Sequence, residues 1–318
     1  MAEMKATRDG YGEALVELGG VNENIVVLDA DLAGSTRTSK FRDAFPDRFF
    51  NMGVAEQNLI NTAAGLAACG KVAFASSFAI FASGRAWEQV RNTVAAAKLN
   101  VKIVSSHGGV SVGPDGLSHQ SVEDISIMRT IPNMRVMVPC DYWEAKKAVK
   151  AAAAESGPFY IRMGRSKSPV VTSEDDPFEI GVAVVMREGT DVSIIACGIM
   201  VEAALRAAEE LGETGVSARV IDMHTIKPID GSAVINAARE TGAIVTAEEH
   251  SVIGGLGSAV SEIVVGECPV PVKMVGIQDR FGQSGHPDDL MREYGLEAKD
   301  IVAAARDVLK RKSKPRYG

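Results

Sequence analysis

Apolar runs of four or five residues recur along the chain, separated by stretches whose apolar positions follow a helical spacing. In the first half, strands are expected at Ile25 to Leu28, Phe49 to Asn51, Val72 to Ala75, Val101 to Ser105, Met134 to Val138 and Phe159 to Ile161. Helices are expected from Thr7 or Asp9 to Leu18 with Gly19-Gly20 as the stop, then over 38–45, 56–70, 78–97, 122–130 and 142–154. Short buried strands alternating with helices predict a parallel sheet covered on both faces. The alternation breaks over Ser166 to Gly181, with two prolines and the acidic run Glu174-Asp175-Asp176, and resumes near Val192. The second set of strands is expected at Val192 to Ala196, Ala218 to Asp222, Ala243 to Ala247 and Val272 to Val275, with a helix closing the chain at 298–310. The reading is α/β: two doubly wound domains at 1–165 and 187–318, joined by a linker at 166–186.

One position breaks the hydrophobic pattern. Glu56 is a single acid at the head of a helix whose Leu59, Ile60, Ala63, Ala64, Leu66 and Ala67 leave little room for a wet face. A buried carboxylate is rare unless paired or used. Stabilisation by the helix macrodipole is the plain alternative.

Composition narrows the partners. The chain has 318 residues, 46% of them hydrophobic, and a net charge of -7, which suits a globular protein and argues against nucleic acid as a main partner. The basic tail Lys310-Arg311-Lys312-Ser313-Lys314-Pro315-Arg316 is expected to be a frayed, solvated end. Cys69, Cys140, Cys197 and Cys268 are widely spaced beside apolar segments, so core thiols are expected and neither a disulfide framework nor a metal site in this chain. Met1-Ala2-Glu3-Met4-Lys5 lacks the apolar core of a signal peptide, and no apolar run approaches the ~20 residues of a membrane span. A cytoplasmic protein without a membrane partner is expected.

Three stretches carry candidate chemistry. The loop from His107 to Gln120 holds two of the five histidines, Asp115 and four glycines, and begins where a parallel strand ends, the usual place for ligands. Its spacing fits no standard metal motif and suits a hydroxylated or phosphorylated ligand. Phe78 and Phe81, three apart on a helical turn, are core residues or a platform for a planar ring. Gly254-Gly255-Leu256-Gly257 is a poor dinucleotide fingerprint, because Val260 stands where a third glycine is expected. A loop packed tightly on a helix N-terminus fits it better.

Taken together, these motifs resemble the transketolase family, specifically its pyrimidine-binding domain followed by its C-terminal domain. The resemblance spans nearly the whole chain. It rests on Ala6-Thr7-Arg8, Asp29-Ala30-Asp31-Leu32, Gly53-Val54-Ala55-Glu56-Gln57, the Phe78 and Phe81 pair, Gly113 to Gln120, Arg162-Met163-Gly164-Arg165, and Glu248-Glu249-His250 with the glycines after it. It implies thiamine diphosphate as cofactor, with Glu56 hydrogen-bonding the aminopyrimidine and so activating it. By the same resemblance Phe78 and Phe81 enclose the pyrimidine, and Asp31 lies near the cofactor, although Asp29 is close enough to share that role. Arg8, Ser35, His107 and Arg165 match residues that hold a sugar phosphate, Asp115 one that recognises a substrate hydroxyl, and His119 one at the reacting centre.

The chain has no Gly-Asp-Gly motif, which in this family binds the diphosphate and its Mg2+ or Ca2+. An N-terminal transketolase subunit carrying that motif is therefore the expected partner, in a heterotetramer built on a homodimer of this chain. The start at Met1, just before the first matched segment, is expected of a natural N-terminus. The β subunit of a 2-oxo acid dehydrogenase and a deoxyxylulose-phosphate-synthase-like enzyme share the domain plan. An orphan half that binds a ligand or partner without catalysis is the non-enzymatic alternative.

Overall fold

The computed structural model describes residues 3–312, so the expectation for Ser313 to Arg316 lies outside the described residues. The first half runs β1 (Met4–Lys5), α1 (Thr7–Val21), β2 (Ile25–Asp29), α2 (Ala33–Thr36), α3 (Ser39–Ala44), β3 (Phe49–Asn51), α4 (Glu56–Ala68), β4 (Val72–Phe78), α5 (Trp87–Gln89) and β5 (Val101–Ser106). It continues with α6 (Asp124–Arg129), β6 (Arg135–Met137), α7 (Tyr142–Ala154), β7 (Phe159–Arg162) and β8 (Ser168–Pro169). The second half runs β9 (Val184–Arg187), β10 (Val192–Ala196), α8 (Met200–Glu213), β11 (Ala218–Asp222), β12 (Thr225–Lys227) and α9 (Gly231–Thr241). β13 (Ile244–Ser251), α10 (Leu256–Glu267), β14 (Val272–Ile277), α11 (Pro287–Glu293) and α12 (Ala298–Lys312) complete it.

Two twisted sheets organise these elements. The first has the order β12-β6-β7-β5-β4-β2-β3, and only β12 runs antiparallel to its neighbour. The second has the order β14-β13-β10-β11-β9, again parallel except for its last strand. The two-domain α/β expectation holds. Its strands are near-continuous apolar runs because both faces are covered. Tyr11, Leu15, Phe74, Val104 and Val149 pack one face of the first sheet under α1 and α7.

The other face has a wider reach. Leu59, Ile60, Val90, Ile103 and Ile125 belong to one buried cluster with Ile195, Ile221, Ile226 and Leu256 of the second half. β12, from the second half of the chain, is itself an edge strand of the first sheet. Sequence periodicity gave no sign of β12, of β9, or of the antiparallel β1–β8 ribbon, each four residues or shorter. β8 and the start of β9 fall inside the stretch read as a linker.

Three local expectations are corrected. α1 passes through Gly19-Gly20 instead of stopping there; a Cβ at Gly19 would come within 2.6 Å of the Phe41 and Phe45 rings, so this glycine permits close packing. The 78–97 region is not one helix: β4 runs on through Phe78, paired with Ser106, and two π-helical segments (Phe81–Arg85 and Val90–Ala95) flank α5. α4 keeps a polar face, because Gln57, Asn58, Asn61 and Gly65 are exposed in this chain. No helix among the described residues is long and apolar enough to cross a membrane.

Candidate active site

The parallel strands of the first sheet end at a common edge, where the head of α4, the turn after β4 and the loop after β5 meet. Glu56 opens α4 and is only 4% exposed. Its carboxylate accepts a hydrogen bond from Ser77 Oγ at 3.3 Å and pairs with Arg85 at 3.4 Å. Beside it, Ala55, Glu56, Gln57, Asn58 and Arg85 line a cavity of about 400 Å³. The expectation that Glu56 is buried therefore holds, and it is also paired.

The ion pair was not legible in the sequence. Arg85 reaches Glu56 because the π-helical turn after Ile80 shifts the register of the side chains that follow. Its guanidinium also lies over the Phe81 ring, 4.1 Å from the centroid. Phe78 and Phe81 do not share a regular helix, yet their rings stack at 5.9 Å with 20° between planes. The His107 ring stacks on Phe78 at 3.7 Å, and His119 meets Phe81 edge-on at 5.3 Å. A carboxylate and a flat aromatic surface thus lie side by side, a donor set that fits a nitrogen-containing planar ring.

His107 is the first residue after β5, with a left-handed φ of 63°, and Ser106 Oγ lies 2.8 Å from its Nδ1. Burial first, then the positive charges of Arg8 and Arg165, push its pKa down to about 3, so the ring is neutral near pH 7. Arg8 donates to the Ser35 carbonyl at 2.8 Å, and its buried Nε has no hydrogen-bond partner among the described residues. Its pKa is lowered by burial and then by Arg37 and Arg165. Arg165 donates to the Val112 carbonyl and stands 3.9 Å from the Asp115 carboxylate. Two guanidiniums and a neutral imidazole at a strand-end edge form a site with surplus positive charge.

The two candidate aspartates differ in environment. Asp29 is fully buried and accepts from Leu32 N, Thr36 Oγ1 and Thr38 Oγ1 at 2.5, 2.7 and 2.9 Å. It organises the turn after β2, and burial raises its pKa. Asp31 is exposed, has a φ of 64°, and among the described residues accepts only from Asn51 Nδ2 at 2.8 Å. Asp115 is also exposed, and His119 is half-buried.

The glycine-rich turn before α10 is internally occupied. The Glu248 carboxylate accepts from Leu256 N at 2.7 Å and Gly257 N at 2.8 Å, and a Cβ at Gly255 would overlap it. A buried side chain thus takes the place a dinucleotide phosphate would need. Burial pushes the Glu248 pKa up to about 7.

The cysteines are free, but only Cys140 and Cys197 of the four are core thiols: Cys69 is exposed and Cys268 half-buried. Cys140 lies within 4.8 Å of Glu144 and Asp222 in a fully enclosed group that the sequence spacing did not reveal. Burial raises the pKa of the Cys140 thiol and the Asp222 carboxyl well above their usual values, which favours their neutral forms, and neither Asp222 oxygen has a hydrogen-bond partner among the described residues.

Comparison with known proteins adds a family to this geometry. Residues 3–170 match the model described as the transketolase pyrimidine-binding domain, and residues 181–301 the transketolase C-terminal domain. The chain is 48% identical to a 6-deoxy-6-sulfo-D-fructose transketolase subunit of Clostridium sp. (strain MSTE9), covering 96% of this chain and 95% of that one. It is 40% identical to one subunit of an apulose-4-phosphate transketolase of Phocaeicola vulgatus, with 97% and 99% covered. A solved structure described as a split-gene transketolase, an inactive β4 tetramer, superposes with a TM-score of 0.91 at 55% identity, covering 96% and 99% of the two chains.

Proposed function

The chain belongs to the transketolase family, and from that membership we propose that it is the C-terminal subunit of a two-chain, thiamine-diphosphate-dependent transketolase. The enzyme moves a two-carbon ketol unit from a ketose phosphate to an aldose phosphate, as in the pentose phosphate pathway. The observation that carries this reading is the buried Glu56 carboxylate beside the stacked Phe78 and Phe81 rings. When bound, thiamine diphosphate supplies the electron sink for breaking and making the carbon–carbon bond.

This chain's residues then have separate tasks. Glu56 accepts or shares a proton with a ring nitrogen of the aminopyrimidine. Phe78 and Phe81 hold the ring flat and exclude water from it, and Asp31 faces the cofactor from the exposed side of its loop. His119 sits at the edge of the aromatic surface, where a reacting carbonyl can be reached. Asp115 takes a substrate hydroxyl.

Arg8, Ser35, His107 and Arg165 hold the sugar phosphate. The surplus positive charge at Arg8 and Arg165 supports an anionic substrate tail, which either a phosphate or a sulfonate supplies. The names of the two relatives carry sugars of both kinds. The diphosphate and its Mg2+ or Ca2+ belong to an N-terminal subunit carrying Gly-Asp-Gly, in a heterotetramer built on a homodimer of this chain.

Glu56→Gln tests the assignment directly. It keeps side-chain size and loses the exchangeable proton. In the mixture with the N-terminal subunit, kcat should fall by about 10²-fold or more with an unchanged unfolding temperature. A wild-type rate in that variant removes Glu56 from the mechanism.

A further inference from the structure

We propose that Glu249, in β13 of the second domain, is a positioning residue for the loop of the first domain that carries His107, Asp115 and His119. This rests on the functional reading of that loop, but the physical case stands on packing between the domains.

The Glu249 carboxylate accepts a hydrogen bond from the backbone N–H of Ser111 at 2.6 Å, within a short 3-10 turn at Val110–Val112. The carboxylate presses on the loop so closely that a Cβ on Gly109 would overlap it. Gly109, with a φ of 85°, is the residue type that leaves room. The backbone carbonyl of Glu249 accepts from Arg162 Nη2 at 2.9 Å, and the same Arg162 nitrogen donates to the Ser121 carbonyl at 3.2 Å. Arg162 is fixed in turn by Asp124 Oδ2 at 2.9 Å.

One residue of the second domain therefore fixes both ends of the loop. It holds the entry through its side chain, and the exit through its backbone and Arg162. The anchored positions, Ser111 and Ser121, lie four residues from His107 and two from His119 respectively. Those are the two imidazoles that meet the Phe78 and Phe81 rings. The loop closes on itself through Gly109 N–H to the Ser121 carbonyl at 2.7 Å and Gln120 Nε2 to the Val110 and Gly113 carbonyls at 3.2 and 3.1 Å. The buried Glu249 carboxyl adds the hydrogen bond that ties the Ser111 turn of this closed loop to the second domain, and in a dry setting such a bond is costly to lose. An apolar residue at 249 would pack as well and leave Ser111 N–H unpaired. The contribution of the second domain to the reaction is to hold this loop without touching substrate.

Backbone hydrogen exchange on the full-length chain tests this without cofactor or partner. In Glu249→Gln, amides of 108–121 should exchange at least about tenfold faster, with β10, β11 and β14 at wild-type rates. In the ketol-transfer assay the same variant should lower kcat more than it raises KM, with Glu249→Gln retaining more activity than Glu249→Ala. If Glu249→Gln does not fold, Glu249→Asp, which draws the carboxylate back from Ser111 N–H, should give the same local loosening. Wild-type exchange over 108–121 in the variant, or acceleration spread evenly through the second domain, overturns the proposal. A wild-type mixture without ketol transfer contradicts the functional reading alone, since the exchange result does not depend on activity.

Discussion

At the scale of single residues, environment separates side chains that look equivalent in the sequence. Asp29 and Asp31 are two positions apart, yet one is committed to three internal hydrogen bonds and the other is exposed. His107 and His119 share a loop, but only His107 is buried against positive charge. That has a measurable consequence. The folded pKa of His107, about 3, lies below its unfolded value of about 6.5. The unfolded chain therefore binds the proton first, and the stabilisation is present above about pH 6.5 and lost as pH falls towards 3. Between pH 7 and 4.5 this group alone should remove roughly 2 kcal/mol. Urea titrations of wild type and His107→Asn should converge as the pH is lowered over that range; parallel curves would mean that His107 is not held neutral by the fold. Glu56 was legible as an acid out of place among apolar residues. Its partner Arg85 was not, because twenty-nine positions and a π-helical turn separate them.

At the scale of elements, regular periodicity was read well and irregular backbone was not. α7, β10 and β11 begin and end where the hydrophobic pattern places them. β1, β8, β9 and β12, of two to four residues, were missed because so short a run carries no period, while the equally short β3, β6 and β7 showed in the alternation of strands with helices. The strand-to-π transition at Phe78 to Arg85 was read as helix, since the small and apolar residues there suit either state. Its aromatic pair was nonetheless identified, because both rings are carried by residue type. The helix at 256–267 shows a cap that no local motif announces: its N-terminal amides are satisfied by Glu248, from the preceding strand. Glu248→Ala leaves the Leu256 and Gly257 amides unpaired in the core and should cost about 1–3 kcal/mol by urea unfolding. A loss within measurement error would show that the turn is held by packing instead.

At the scale of the molecule, the two halves are less separate than their sequence suggests. One hydrophobic cluster crosses between them, and β12 joins the first sheet. The loop of the first domain is clamped from the second by Glu249 and by the Gln283 carbonyl, which accepts from Gln120 Nε2 at 2.9 Å. None of this is periodic, so a chain read element by element divides where the structure is continuous. The candidate site is nevertheless one-sided. It offers a carboxylate, aromatic surfaces and cations for a substrate anion, while the chain carries no Gly-Asp-Gly for a diphosphate and its metal. The measurement that bears most directly on this account is ketol transfer by purified components. This chain, an N-terminal transketolase subunit, thiamine diphosphate and Mg2+ should together release glyceraldehyde 3-phosphate from xylulose 5-phosphate and ribose 5-phosphate, and neither subunit should do so alone. Full activity from this chain by itself, or none from the mixture across a panel of phosphorylated and sulfonated ketoses, would contradict it.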